Sequence, residues 1–210
     1  MASYDLTIPI SDEAIRALHI GDTVRLSGVM VTGRDAAHKY LIETFIQADA
    51  VPESERPLYE KLQGLLDGGV IYHCGPVVRQ LEEDGGRWEF VAAGPTTSIR
   101  EEVYEPEVIT HFGLRGVIGK GGMGPGTLQA CQEHGAAYLH AVGGAASLIA
   151  DTVKEVVAVY KKDEFGVPEA FWVIRVEGFP VVVTMDSHGC SIHEEVEAAS
   201  RAALERLVAG

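Results

Sequence analysis

Cysteine is scarce. Cys74, Cys131 and Cys190 are the only three, they lie far apart, and no Cys-x-x-Cys occurs. Neither a zinc ribbon nor a self-contained four-cysteine iron–sulfur site is therefore written in the chain. Thiols packed as small apolar groups are the simpler reading. Positive charge is scarce too. Seventeen Lys and Arg face 31 Asp and Glu, for a formal net charge of −14. Nucleic-acid binding needs clustered cations, so this balance argues against such a partner and makes any local group of cations stand out. No apolar run has the length that spans a bilayer. The first six residues lack a basic segment followed by an apolar core, so no secretory signal is expected and a cytoplasmic location is the expectation.

What is present fits an ordinary globular domain: 46% apolar and 23% charged residues over 210 positions, enough for one well-buried domain or two small ones. Ser11 before Ala14, Ile15 and Leu18 predicts a capped short helix. The β-branched alternation of Thr23–Val31 predicts a strand, and Arg34–Gln47 has helical spacing. A loop, a short helix over 58–66 and a strand over 70–73 follow. Trp88–Ala92 reads as a strand paired across the polar turn 82–86. Beyond it, helices are expected over 103–112, 127–134 and 145–150, with strands over 115–118 and 137–142. Three more strands are expected, over 153–160, 170–176 and 180–185. A final amphipathic helix, His193–Val208, carries Val196, Ala199, Ala203 and Leu207 on one stripe, with Glu197 and Arg201 at i,i+4. Crossovers mixed with hairpins predict an α/β fold of layered, mixed sheets with helices outside.

Three segments share one design: a strand end, a turn containing glycine or proline, then a cation. In Thr32-Gly33-Arg34-Asp35, Arg34 stands at a helix start, where an anion is favoured; alternatively Thr32 caps the helix and Arg34 pairs with an acid. In Gly94-Pro95-Thr96-Thr97-Ser98-Ile99-Arg100-Glu101, the spacing of Ser98 and Glu101 suits a capping box, which leaves Thr96, Thr97 and Arg100 unexplained. In Gly119-Lys120-Gly121-Gly122-Met123-Gly124, Gly119, Gly121 and Gly124 match the dinucleotide fingerprint in form. The following strand ends in Gly143-Gly144, without the acid that would hold a ribose, so that reading is disfavoured. Val142-Gly143-Gly144-Ala145-Ala146 reads best as tight packing. Asp186-Ser187-His188-Gly189-Cys190-Ser191-Ile192-His193 has metal-ligating residue types without a metal-ligating spacing. Strand ends of one α/β layer tend to lie together. Arg34, Arg100 and Lys120, with the hydroxyls of Thr96 and Thr97, would then form a pocket for a small molecule bearing two carboxylates.

In this order and spacing, Thr32-Gly33-Arg34-Asp35-Ala36-Ala37-His38, Gly94-Pro95-Thr96-Thr97-Ser98-x-Arg100, Gly119-Lys120-Gly121-x-Met123 and Val142-Gly143-Gly144-Ala145-Ala146 resemble the β subunit, or C-terminal domain, of class I fumarases and L-tartrate dehydratases. The resemblance runs from about Ile8 to Gly189. It implies a swivelling β/β/α fold over residues 1–192, with 193–210 as a helical extension. It implies reversible hydration of fumarate to L-malate, in a complex with an α subunit that holds a [4Fe–4S] cluster through its own three cysteines. Assembly beyond one αβ unit is expected, and no metal ligand is expected on this chain. By motif position, Arg34, Thr97, Arg100 and Lys120 correspond to carboxylate binders and Thr96 to the group that moves the carbon-bound proton. Tartrate dehydration is the alternative within the same chemistry, towards which Gly75–Arg79 with Trp88-Glu89 leans. A dicarboxylate-binding module without catalysis is the alternative outside it.

Overall fold

A computed structural model describes residues 1–81 and 86–208. In chain order the elements are β1 (Ser3–Ile8), α1 (Asp12–Arg16), β2 (Thr23–Thr32), α2 (Asp35–Leu41), α3 (Arg56–Leu66), β3 (Val70–Tyr72), β4 (Val77–Leu81), β5 (Arg87–Ala92), α4 (Glu105–Phe112), β6 (Gly116–Gly119), α5 (Pro125–His134), β7 (Ala137–His140), α6 (Ala146–Ala150), β8 (Val153–Tyr160), α7 (Lys162–Phe165), β9 (Phe171–Met185) and α8 (Ile192–Val208). A π-helical turn, Ile42–Ile46, continues α2, and a 3₁₀ helix, Ser98–Val103, leads into α4. Ser11 caps α1, its hydroxyl accepting from Ala14 N–H at 3.2 Å. Apart from Gly86, the turn expected between β4 and β5 lies outside the described residues. Among the described residues no helix is long and apolar enough to cross a membrane.

The main sheet runs β1-β2-β3-β6-β7-β9-β8, and β2, besides β1 and β3, also pairs with β9. Strands β2, β3, β6, β7 and β9 therefore close a five-stranded barrel, flanked by β1 and β8. The expectation of mixed strands with flanking helices holds, but the sheet is more closed than separate open layers. The first five strands of this order are parallel, and β9 is antiparallel to β2, β7 and β8. The two strands expected over 170–176 and 180–185 are one. Its ladder with β2 runs from Val31↔Val173 to Thr23↔Val182. Gly178, at φ +64°, takes the bend between the two halves, and its N–H is held by Ser27 Oγ at 3.0 Å. Strand β1 was not foreseen from the sequence.

Side chains of successive strand residues point to opposite faces, and here each face has its own core. Met30, Tyr72, Ile118, Leu139 and Trp172 fill the inside. Their neighbours Val31, Ile71, Val117, Tyr138 and Phe171 pack outward with Leu41, Leu62, Phe112 and Leu128. Helix α8 shares in neither core: none of its residues is buried, and Val196 and Leu207 are 62% and 80% exposed. The amphipathic stripe exists but faces away from the domain. The expected Glu197–Arg201 pair forms at 2.7 Å.

Because no residue of α8 is buried, deleting residues 196–210 should change the melting temperature by no more than about 2 °C, the size of a surface effect. Thermal unfolding followed by circular dichroism measures this. A loss of more than about 5 °C would assign α8 a packing role in the isolated chain.

Candidate active site

The parallel strands bring the ends of β2, β3, β6 and β7 to one mouth of the barrel, and the cation-bearing segments emerge there. Arg34 follows β2 and stands at the start of α2, with no side-chain cap of its own. A carboxylate from the far side of the chain serves instead. Glu169 Oε2 accepts from Ala36 N–H at 3.0 Å, and Glu169 Oε1 pairs with Arg34 Nη1 at 3.1 Å. Thr32 does not cap this helix. Its hydroxyl donates to Ala170 O at 3.4 Å and accepts from Trp172 N–H at 3.1 Å, inside the barrel wall. Arg34 Nε is buried without a hydrogen-bond partner.

The segment 94–98 threads between the ends of β3 and β6. Thr96 N–H donates to His73 O at 2.7 Å, Lys120 N–H to Thr96 O at 3.2 Å, and Ser98 N–H to Lys120 O at 3.0 Å. Arg100 ties its own segment to that of Arg34. Its Nη2 pairs with Asp35 Oδ2 at 2.9 Å and lies 3.5 Å from Thr96 Oγ1. The Lys120 stem crosses Gly143, where a Cβ would come 3.3 Å from Cδ. All five residues singled out from the sequence, Arg34, Thr96, Thr97, Arg100 and Lys120, thus meet at one mouth, and Thr97 and Arg100 are exposed there.

The glycine-rich turn after β6 has three local explanations, none of them a nucleotide. A Cβ at Gly119 would lie 1.8 Å from Ser98 Oγ, and one at Gly122 2.5 Å from the His193 ring. A Cβ at Gly124 would lie 2.7 Å from the Glu102 carboxyl. That carboxylate fills the start of α5, where a pyrophosphate would have to sit: it accepts from Gly124 N–H at 2.7 Å, Gly126 N–H at 2.9 Å and Thr127 Oγ1 at 2.6 Å. At Val142–Ala146 the packing reading holds, since Gly94 would meet the Ala146 side chain and Ala93 N–H donates to Ala146 O at 2.9 Å. The turn at 186–190 is organised by the buried Asp186, which accepts from the N–H groups of Ile20, His188 and Cys190.

Sequence reading missed a group behind the mouth. His38, His73, Ser98, Glu105 and Tyr138 are fully buried. His73 Nε2 donates to Glu105 Oε2 at 2.9 Å. His38 Nε2 contacts the same oxygen at 2.9 Å without the alignment of a hydrogen bond. Ser98 Oγ lies 2.8 Å from His73 Nδ1 and accepts from Tyr138 OH at 2.9 Å. The expected capping box is therefore absent: Ser98 is spent on His73, and both Glu101 carboxyl oxygens are buried with no hydrogen-bond partner. The two glutamates differ in charge accordingly. Burial pushes the Glu101 carboxyl upward. Burial acts on Glu105 in the same direction, but the imidazoles of His38 and His73 outweigh it and hold Glu105 at about 2. The Glu105 carboxylate in turn raises His38 against the opposing effect of burial.

Among the described residues, His38, His73 and Glu105 are the group with ligand atoms close enough for a metal, all within 4.8 Å. Both imidazoles touch Glu105 Oε2 directly at 2.9 Å, His73 through a hydrogen bond, and the set contains no sulfur. The cysteines do not fit an iron–sulfur cluster. Cys74 and Cys131 sit in different cores and Cys190 is exposed. Burial pushes the Cys74 thiol up to about 12 and raises Cys131 as well, away from the thiolate that binds iron.

Residues 2–196 match the family model described as Fumarase C-terminus. A Geobacillus stearothermophilus protein provisionally named fumarate hydratase class I is 50% identical over 202 residues, 96% of this chain. The chain spans 35% of that relative's length. The L(+)-tartrate dehydratase subunit beta of Escherichia coli K12 is 40% identical over 192 residues, covering 90% of this chain and 86% of the relative.

Glu101 and Glu105 should respond oppositely to the same isosteric change. Glu105→Gln removes the charge that two buried imidazoles face and should cost roughly 3 kcal/mol or more at pH 7. Glu101→Gln relieves an unpartnered buried carboxyl and should stay within about 1 kcal/mol of wild type or exceed it. The Glu105 value is depressed from an ordinary 4.5 to about 2. Its contribution is therefore present above 4.5 and is lost as pH falls towards about 2. Over that range the gap between wild type and Glu105→Gln should shrink. Urea unfolding at several pH values measures all three outcomes.

Proposed function

Because the chain belongs to the Fumarase C-terminus family, that of class I fumarate hydratases and L(+)-tartrate dehydratase β subunits, we propose that it is the β half of an iron–sulfur hydro-lyase. Its reaction is the reversible hydration of fumarate to L-malate, at a site completed by an α subunit. The observation that carries this reading is that the Arg34, Thr96–Arg100 and Lys120 segments adjoin at one mouth of the barrel: Arg100 reaches Asp35 and Thr96 Oγ1, and Lys120 N–H donates to Thr96 O. A dicarboxylate needs such an arrangement of fixed cations. The unpartnered, buried Arg34 Nε supports it, since a buried guanidinium N–H without an acceptor suits a carboxylate brought by a ligand.

Each residue then has a task. Arg34 holds one substrate carboxylate through its planar fork, and Lys120 and Arg100 offer charge to the other. Thr97 donates a hydrogen bond. In the dehydration direction Thr96 Oγ1 takes the proton from the carbon beside a carboxylate, and in hydration it returns it. A threonine hydroxyl serves as a base only where its deprotonated form is favoured, and the Arg100 guanidinium 3.5 Å away supplies part of that field. Negative charge building on the substrate meets the same cations.

The cluster belongs, in this reading, to the α subunit, because the cysteines here are scattered and two are buried. Several relatives are named subunit beta. Exposed apolar side chains also flank the site in sequence: Ile99 and Val103 beside Arg100, Val142 and Leu148 after β7. Such residues beside an open charged mouth suit a covering subunit. In this reading residues 1–192 are the swivelling β/β/α hydro-lyase unit, and helix α8 extends from its end. Tartrate dehydration is the second reading, favoured by the name of the Escherichia coli relative.

The test is co-purification with the α chain under anaerobic conditions and assay on fumarate, L-malate and L-tartrate. Thr96→Ala should lower kcat by about 10²–10⁴-fold with KM nearly unchanged. Thr97→Ala should raise KM and slow turnover modestly. Near-normal kcat in Thr96→Ala would give the proton to another group. Arg34→Lys keeps the charge but loses the fork, and kcat/KM should fall about tenfold or more.

The isolated chain, treated anaerobically with iron and sulfide, should develop no stable cluster absorbance. A stoichiometric cluster on this chain alone would overturn the two-subunit reading.

A further inference from the structure

One buried chain of contacts reaches all three cation-bearing segments from behind. His38 Nδ1 donates to Arg34 O at 2.9 Å. The carbonyl of His73 accepts Thr96 N–H at 2.7 Å, and Ser98 N–H donates to Lys120 O at 3.0 Å. Side chains link these three residues in turn: His38 to Glu105, Glu105 to His73, His73 to Ser98, and Ser98 to Tyr138. We infer that the relay Tyr138–Ser98–His73–Glu105–His38 is a positioning device that sets Arg34, Thr96 and Lys120 relative to one another; its catalytic consequence rests on the function proposed above.

The proton directions are consistent along the relay. A carboxylate only accepts, so His73 Nε2 carries a proton towards Glu105. Tyr138 OH donates to Ser98 Oγ, and Ser98 Oγ lies 2.8 Å from His73 Nδ1, so the hydroxyl joins the tyrosine to the imidazole. His38 donates to Arg34 O through Nδ1 and turns Nε2 to Glu105, the arrangement of an imidazolium beside a carboxylate. The ion pair sits under the Arg34 segment and the hydroxyl branch, Ser98 and Tyr138, under the Thr96 segment.

The strand behind the relay is bare at Gly119, which lets Ser98 and Tyr138 pack directly against it. No side chain at 119 could coexist with Ser98, because even a Cβ there would lie 1.8 Å from Ser98 Oγ and 2.9 Å from Tyr138 OH. None of the five relay residues touches solvent, and no hydrogen bond of the relay is exposed to competition from water. A displacement of about 1 Å between groups that hold one substrate costs on the order of 10²-fold in rate. A relay of this kind therefore acts on turnover without touching substrate.

The test uses two variants that spare the loop's backbone hydrogen bonds: Ser98→Ala, and Tyr138→Phe in case the first does not fold. In the full chain without partner, histidine-labelled nitrogen NMR should show a proton on His73 Nε2, held towards Glu105. Ser98→Ala should shift the amide resonances of Thr96 and Lys120. In the assembled αβ enzyme, either variant should lower kcat at least about tenfold per folded molecule, since the positioned groups act in the transition state. A lower melting temperature with wild-type kcat, or unmoved Thr96 and Lys120 amides, would make the relay a stabilising element only and overturn the inference. If the wild-type complex turns over no dicarboxylate, the functional reading fails, and the NMR comparison still decides the relay.

Discussion

The pairing of β2 with the antiparallel strand β9 is the constraint on which the rest of the molecule depends. Without it, the strands would form an open mixed sheet, β1-β2-β3-β6-β7-β9-β8, with an exposed edge at each end. With it, the sheet closes, and residues separated by one position along each strand fill two different cores. Closure also fixes which ends of the parallel strands share a mouth. Arg34, His73, Lys120 and Gly143 each follow the end of a parallel strand, so they converge without any contact among their side chains being needed to bring them there. The bulge at Leu26/Gly28 shows what closure demands locally. Gly28 has φ +126°, and a Cβ there would stand 2.7 Å from Ile8 O, so β1 lies flush against β2 only because the position is bare.

The electrostatics of the mouth follow from an acidic chain that uses its own carboxylates first. The starts of α2 and α5 are the obvious places for a foreign anion, and each holds a glutamate of the chain, Glu169 and Glu102. Backbone amides are thus largely removed from anion binding. What is left is side-chain charge, and that too is partly engaged: Arg34 with Glu169, Arg100 with Asp35. Such pairs, about one-fifth to one-half exposed, hold the guanidinium groups in place while contributing little net stability. An incoming carboxylate does not have to order them, and Arg34 Nε–H is left to donate to one more partner.

Local chemistry was legible in the sequence, and pairings across the fold were not. Ser11 as a cap, β8 over 153–160, and the strand–turn–cation segments were readable because each is decided within a few residues. Strand β1 went unseen because its Ser-Tyr-Asp-Leu-Thr-Ile alternation is short and mostly polar. The two segments of β9 were divided at Gly178, where local bend signals are strong, and only the ladder with β2 makes them one strand. The capping box at Ser98 and Glu101 was a valid local inference overruled by distance: His73 and Tyr138 take the serine. The buried His38–Glu105–His73 group gave no local signal, since its members are separated by 35 and 32 positions. The one available hint was His38, four residues after Arg34 on a helix face otherwise destined for the core.

The openness of the mouth bears on why such a chain works as half of an enzyme. Thr97 and Arg100 face solvent, and the Arg100 guanidinium that neighbours Thr96 is about half exposed. In water a cation at hydrogen-bond distance does little to stabilise an alkoxide, because solvent screens it. The same cation becomes effective once a second surface excludes water and lowers the local dielectric. The barrel and its buried relay can hold Arg34, Thr96 and Lys120 in place, but geometry alone does not make a threonine a base. Burial of the mouth must come from outside this chain, and the exposed apolar residues beside it, Ile99, Val103, Val142 and Leu148, are what such a surface would cover.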